Sequence, residues 1–325
     1  MSLGRVIPLN TKRTIPQIGL GTWLSKPYEV ENAVEIAVRN GYRHLDLARV
    51  YENQDEVGRA LKKVIPSVVK REDLFITSKL WNSAHQPDQV EPALDETLEQ
   101  LGLEYIDLYL VHWPVAFPPG KNLFPRVPNK QDEALIDTQT SLVDTWRAMI
   151  QLLNTGKVKN IGVSNFTIPQ LKGIIDATDV TPAVNQIEAH PLLPQDDLLD
   201  YCNEQGIHLT AYSPLGHNLK GLPLMTEHPT VQEVGKKLGA TPAQVLIAWG
   251  TYRGYSVIPK SVHEDRIISN FKQVELSKDD YEKISSIGKN NHKRFNVPIT
   301  YNPKWDINVF DELEERNTTH QVKIA

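Results

Sequence analysis

The chain has 325 residues, with 35 Lys and Arg against 40 Asp and Glu and a net charge of −5. Its basic residues are scattered, in pairs no longer than Lys62-Lys63 or Lys236-Lys237, which argues against a nucleic-acid surface. Cys202 is the one cysteine, so no intrachain disulfide or cysteine metal site is possible, and no apolar run approaches the roughly 18 residues of a membrane span.

In chain order, residues 6–9 and 14–17 are short extended segments around the polar turn Asn10–Arg13 and predict a β-hairpin. Ile18–Trp23 is a strand whose glycines permit close backbone approach. Thereafter helices and strands alternate. Helical spacing marks 28–40, 54–65, 88–101, 141–155, 168–176 and 195–205, then the pair 230–238 and 242–250, and a last helix from about Glu264. Between them lie β-prone runs at 42–46, 74–79, 106–112, 159–163, 183–186, 207–212 and 255–258. Eight strand–helix units after a hairpin favour an α/β fold of the (β/α)8 TIM-barrel type. An open doubly wound sheet is the alternative. Residues 113–140, 214–229 and 289–325 do not fit the repeat and are rich in Pro, Gly and Asn. The first two follow strand ends, so they rise over the C-terminal face, and the tail is expected to fold over the same mouth. No linker divides residues 1–325, and we expect one barrel domain.

Active sites on this architecture are built at the C-terminal strand ends. There the sequence places Thr22, Asp46, Lys79, His112, Asn165, Gln186, Tyr212 and Lys260. Singly, each has a bland reading: an Asp after a strand caps a helix, and a Tyr is half-buried core. The recurrence of so many polar types at one position of the repeat points instead to chemistry. Asp46, Lys79 and His112 stand 33 residues apart, and Tyr51 follows Asp46 by five. A phenol is a poor proton donor at neutral pH; a nearby Lys cation would lower its pKa, an Asp would keep the Lys charged, and a His would hold a substrate oxygen. Such a group suits proton delivery to a carbonyl oxygen while hydride reaches carbon. No carboxylate pair suits glycoside hydrolysis, and no His or Cys pattern suggests a metal. A Gly-x-Gly-x-x-Gly is absent, so a nicotinamide would have to bind without a Rossmann fold. Lys260, Ser261 and Arg266, at a strand end and helix start, form a candidate anion site.

Taken together, Gly19–Trp23, Gly41–Asp46 with Tyr51, Ser78–Trp81, Leu101–Pro114, Ile161–Phe166, Asn185-Gln186 with His190-Pro191, Ala211–Gly216 and Ile258–Ser261 resemble the aldo-keto reductase superfamily over nearly the whole length. Arg294–Asn296 and Pro303–Asn308 look most like its fungal branch of NADP-dependent glycerol dehydrogenases and glyceraldehyde reductases. The resemblance implies a barrel with a hairpin across its bottom and NADPH/NADP+ extended over its top. It implies Tyr51 as proton donor, Lys79 and Asp46 as its tuners, and His112 as the residue orienting the carbonyl. Ser164, Asn165 and Gln186 would hold the carboxamide and Tyr212 would stack on the nicotinamide. Thr22, Ser213 and Leu215 would line the cofactor channel beside Trp23 and Asp46. Lys260, Ser261 and Arg266 would take the 2′-phosphate, with Asn270 at the adenine. Trp23, Trp113 and Phe117 would wall the substrate pocket.

Departures are Gln54 and Ser269 where Glu is common, Arg49 near the pocket mouth in place of a small residue, and Leu222 where some members carry Trp. Arg126 and the 113–140 loop leave polar or acidic substrates open. The activity implied is reversible NADPH-dependent reduction of small aldehydes, ketones or aldoses, of the glycerol dehydrogenase or glyceraldehyde reductase kind. Xylose, erythrose or uronate reduction is an alternative within the family, and a non-catalytic NADP-binding member is one of another class. Met1–Arg5 has no apolar signal core, so we expect a soluble cytoplasmic protein, monomeric or weakly dimeric, whose partner is a small carbonyl or polyol.

Overall fold

The computed structural model describes residues 4–216 and 221–325; residues 217–220 of the second predicted loop lie outside the described residues. An N-terminal hairpin, β1 (Val6–Pro8) and β2 (Thr14–Pro16), precedes the repeat β3 (Leu20–Gly21), α1 (Glu29–Arg39), β4 (His44–Asp46), α2 (Gln54–Val64), β5 (Phe75–Leu80), α3 (Pro87–Leu101) and β6 (Leu108–Val111). An antiparallel ribbon interrupts it, β7 (Arg126–Val127) with β8 (Lys130–Ala134). The repeat resumes with α4 (Leu142–Leu152), β9 (Ile161–Ser164), α5 (Ile168–Thr178), β10 (Val184–Glu188), α6 (Asp196–Gln205), β11 (His208–Tyr212), α7 (Pro229–Leu238), α8 (Pro242–Tyr252), β12 (Ser256–Val257) and α9 (Glu264–Phe271). Then come α10 (Lys278–Ser285) and two short tail strands, β13 (Ile307–Asn308) and β14 (His320–Gln321).

Eight parallel strands run in the order β12-β11-β10-β9-β6-β5-β4-β3. The two ends of this sheet meet. Val257 donates to Gln17 O at 2.7 Å, Gly19 to Val257 O at 2.9 Å and Gly21 to Pro259 O at 3.1 Å, which closes the cylinder. Gly21 is required at the seam, since a Cβ there would stand 2.8 Å from the Ile258 carbonyl oxygen. Strands buried on both faces need no polar alternation, and all six residues of β5 are buried. The helices pack outside: α1, α2 and α3 turn Val34, Val57, Ala60 and Leu94 toward the barrel wall.

The predicted hairpin seals the bottom. Leu9 and Ile15 pack with Phe75, Leu108 and Val184, residues at or near the starts of β5, β6 and β10. At the other end, Trp305, Ile307 and Val309 of the tail pack with Trp81, Trp113, Val115, Phe117 and Ala134, so the tail covers the mouth side as expected. The chain's end is fixed too. Lys323 O and Ile324 O accept the first backbone amides of α4, from Leu142 at 2.9 Å and Val143 at 3.0 Å. Ile324 also lies over Gly173 of α5, where a Cβ would come within 2.2 Å of it.

Several imidazoles are buried in this framework, His44, His85, His112 and His190 among them. His44, bonded through Nδ1 to Pro16 O at 3.1 Å, is pushed down to about 4, mainly by burial. Burial likewise pushes His85 down to about 3. A histidine whose folded pKa is depressed takes up its proton only on unfolding, so stability is lost as pH falls below about 6.5. Each contributes about 1.4 kcal/mol per pH unit in the window between its unfolded and folded pKa. Thermal melts should therefore shift down steadily between about pH 6 and 4, and the double variant His44→Gln/His85→Gln should reduce that slope, with His112 and His208, also depressed by burial, supplying part of what remains; an unchanged slope would refute the assignment.

Candidate active site

Asp46 ends β4, Lys79 is the penultimate residue of β5, and His112 follows β6. The parallel register sets them on one rim, since Asp46 lies opposite Thr77 and Lys79 opposite Leu110. Just past β4, a single 3₁₀ turn, Arg49–Tyr51, brings the phenol back over the barrel. Lys79 is fully buried and spends its three ammonium protons locally: on Asp46 Oδ1 at 2.6 Å, Leu47 O at 2.7 Å and Tyr51 Oη at 3.4 Å. The second carboxylate oxygen of Asp46 accepts from Gln186 Nε2 at 2.6 Å. Thr22 Oγ1 binds the Asp46 carbonyl at 2.8 Å and Asn53 the Thr22 carbonyl at 3.0 Å, so the neighbouring backbone is tied as well.

The electrostatics divide the roles. Burial, then the Asp46 carboxylate and Tyr301, hold the Tyr51 phenol well above its ordinary range. This runs against the expectation that Lys79 lowers it: the cation's field is already taken up by Asp46, and burial dominates. Burial also lowers Lys79, against the opposing pull of Asp46. Burial, the Lys79 charge and His85 hold His112 well below its usual range, so at neutral pH its ring is uncharged. Its ring lies edge-on to Tyr51 at 5.9 Å and to Trp81 at 5.3 Å, and its buried Nδ1 has no protein partner.

Ser164, Asn165, Gln186 and Tyr212 come together beside this group. Ser164 Oγ donates to Gln186 O at 2.8 Å, Asn165 Nδ2 to His112 O at 3.0 Å, and Tyr212 Oη to Asn165 Oδ1 at 2.6 Å. Asn165 holds a left-handed φ of 64°, a conformation Asn tolerates better than most side chains. Ser213 and Leu215 follow β11, half-buried. Lys260 pairs across the seam with Gly21, is exposed, and donates to Leu24 O at 3.0 Å. Arg266 is exposed in the first turn of α9, while Ser261 and Asn270 are buried. Among the described residues neither Lys260 nor Arg266 makes an ion pair, which leaves two cations at one helix start for an anionic group.

Trp23 is half-buried, Trp113 is buried, and Phe117 packs edge-on behind Trp81 and Trp305. Arg49 does not enter the mouth; it bonds Glu96 of α3 at 3.0 Å. Arg126 bonds the Gln131 carbonyl within its own ribbon. Sequence reading missed Trp81, Tyr301, Trp305 and Phe310, which with Trp113 make an edge-to-face aromatic cluster. It also missed Glu188 at the end of β10. That buried carboxylate accepts from His190 Nε2, Phe295 N, Asn296 N and Asn296 Nδ2 at 2.8 to 2.9 Å and so moors the tail to the barrel. Trp81 and Trp305 are visible in the sequence, but nothing in it says that they meet. Among the described residues there is no group of three His, Cys, Asp or Glu that could hold a metal, and no helix long and apolar enough to cross a membrane.

Comparison with known proteins gives a consistent picture. The model of the aldo/keto reductase family matches residues 17–289. D/L-glyceraldehyde reductase of Hypocrea jecorina is 52% identical, covering 100% of this chain and 99% of its own. Glycerol 2-dehydrogenase (NADP(+)) of Saccharomyces cerevisiae is 45% identical over 92% of this chain and 96% of its own. The solved aldose reductase of Schistosoma japonicum superposes with a TM-score of 0.85 at 41% identity, covering 91% of this chain and 95% of that one.

The Lys79–Asp46 pair yields a stability test. Asp46→Asn leaves a buried ammonium without its counter-charge and should cost about 3–5 kcal/mol in denaturant unfolding. Adding Lys79→Met should recover most of that loss; a double variant no more stable than the single would show that the pair is not coupled.

Proposed function

Because the chain belongs to the aldo/keto reductase family, and is an oxidoreductase acting on carbonyl and alcohol groups, we propose that it reduces small aldehydes with NADPH and runs in reverse on polyols. The observation that carries this is a half-buried phenol bonded to a buried ammonium beside an imidazole that burial keeps neutral. An uncharged imidazole has no acidic proton to give at neutral pH, so the proton comes from Tyr51 Oη. His112, with Nδ1 facing the interior, turns Nε2 to the carbonyl oxygen and orients it. As Tyr51 gives up its proton, Lys79, already in contact, stabilises the phenolate that forms. Asp46 and Gln186 hold Lys79 in place so that no reorganisation is needed at that moment.

The residues present fit a phosphorylated nicotinamide dinucleotide: among the described residues Lys260 and Arg266 make no ion pair, and with the Ser261 hydroxyl and the first backbone amides of α9 they would supply donors for a phosphate. Lys260, Ser261 and Arg266 would hold the 2′-phosphate, with Asn270 toward the adenine. Ser164, Asn165 and Gln186 would hold the carboxamide, Tyr212 would offer a ring face, and Thr22, Trp23, Ser213 and Leu215 would line the channel. When bound, the cofactor supplies or accepts the hydride. Glyceraldehyde reduction and glycerol oxidation are the reactions named for the two fungal relatives, and we carry them to this chain as its proposed activity.

Tyr51→Phe should leave NADPH binding, followed by fluorescence titration, within about twofold while turnover falls by at least about 100-fold, the scale of a lost general acid; retained turnover would reject the role. Because the phenol is held above its ordinary range, the reductive rate should stay level through neutral pH and fall only in strong alkali. Polyol oxidation, which needs the phenolate, should rise with pH. Lys260→Ala and Arg266→Ala should each weaken NADPH about tenfold or more and NADH little, as expected for lost charge-assisted bonds to phosphate; equal losses would count against that phosphate site.

A further inference from the structure

One phenol near the mouth is not used by this chemistry. Tyr301 comes from the tail, is half-buried, and lies edge-on to Trp113 at 6.0 Å and to Trp305 at 5.4 Å. Trp113 directly follows His112. The Tyr301 hydroxyl donates to Asn296 Oδ1 at 3.4 Å. Asn296 is itself fixed, because its side-chain and backbone nitrogens both donate to Glu188 Oε2, at 2.9 and 2.8 Å. Tyr301 also stands close enough to Tyr51 and Tyr212 for a charge on one phenol to bear on the others. Tyr301 therefore lines the mouth from the tail side, packed on the ring that follows His112.

Packing on Trp113 and Trp305 alone does not require a hydroxyl here, although the one present also ties Tyr301 to Asn296. The hydroxyl adds a polar atom whose proton is spent on Asn296, leaving its lone pairs to accept. A neutral hydroxyl group can donate to it; a carboxylate cannot. Nor do the nearby arginines offer a carboxylate a partner, since Arg294 is paired with Glu312 at 2.8 Å and Arg49 with Glu96 at 2.9 Å. We propose that Tyr301 is a specificity-determining residue that accepts a hydrogen bond from the hydroxyl on the carbon next to the carbonyl, and that the preferred substrates are short, uncharged 2-hydroxyaldehydes rather than uronates or plain aldehydes. The assignment rests on the reductase reading above and sharpens it.

The test is steady-state NADPH oxidation by the full-length enzyme and by Tyr301→Phe, with glyceraldehyde and with propanal. The variant should lose about tenfold or more in kcat/KM for glyceraldehyde and stay within about twofold for propanal, because a site that bonds a substrate hydroxyl discriminates against its absence. Affinity for NADPH should be unchanged. Equal losses for both aldehydes, or no loss for either, would overturn the assignment. A measurement on the unaltered enzyme guards against a misfolded variant: glyceraldehyde should exceed 3-hydroxypropanal, which lacks the 2-hydroxyl, by about tenfold or more in kcat/KM, and parity would equally refute the role. If the unaltered enzyme oxidises NADPH with none of these aldehydes, it is the reductase reading that fails, and this assignment falls with it.

Discussion

A charged ammonium with no exposure to solvent is the constraint around which the molecule is arranged. Taking Lys79 and Asp46 out of water is costly, and their attraction offsets that cost only when every remaining proton and lone pair finds a partner. Here each does: Leu47 O and Tyr51 Oη complete Lys79, and Gln186 completes Asp46. Two of those partners, Leu47 and Tyr51, follow β4 beside Lys79 on β5, while Gln186 comes from β10 across the barrel, so the full set is complete only in the closed cylinder. Closure in turn depends on the short seam from Gln17 to Gly21. Fold and chemistry are thus a single problem, solved at the same strand ends.

The neutrality of His112 follows from the same arrangement. A cation beside it and burial around it both oppose a second positive charge. The phenol is left as the only group near Lys79 that can release a proton and be stabilised for doing so. The surrounding aromatic rings exclude water from the pair and strengthen the interaction that they surround.

Much of this was legible in the sequence, for a geometric reason. In a parallel barrel each strand delivers its last residues to one rim, so Asp46, Lys79 and His112 could be placed together from their spacing alone. The hairpin plug was readable because Leu9 and Ile15 flank a polar turn. What escaped was non-periodic. The tail wall of Tyr301, Trp305 and Phe310 meets Trp81 and Trp113 across some two hundred residues, and nothing local marks such contacts. The β7–β8 ribbon is mostly polar and exposed, so it carries no alternating signal. The Tyr51 electrostatics were misjudged because burial, which outweighs the cation, is invisible until the ring has been placed. Arg49 was set at the mouth by its number, whereas its length lets it reach Glu96 on the outer helix.

The tail is structural in two places: Lys323 and Ile324 cap α4, and the segment from Tyr301 to Phe310 packs over Trp81 and Trp113. The partners of Lys79 and Asp46 all lie ahead of the tail, whereas the aromatic cover over Trp81 and Trp113 comes from the tail itself. Truncation ahead of Tyr301 would thus leave a cylinder able to close around Lys79 but open to water above it.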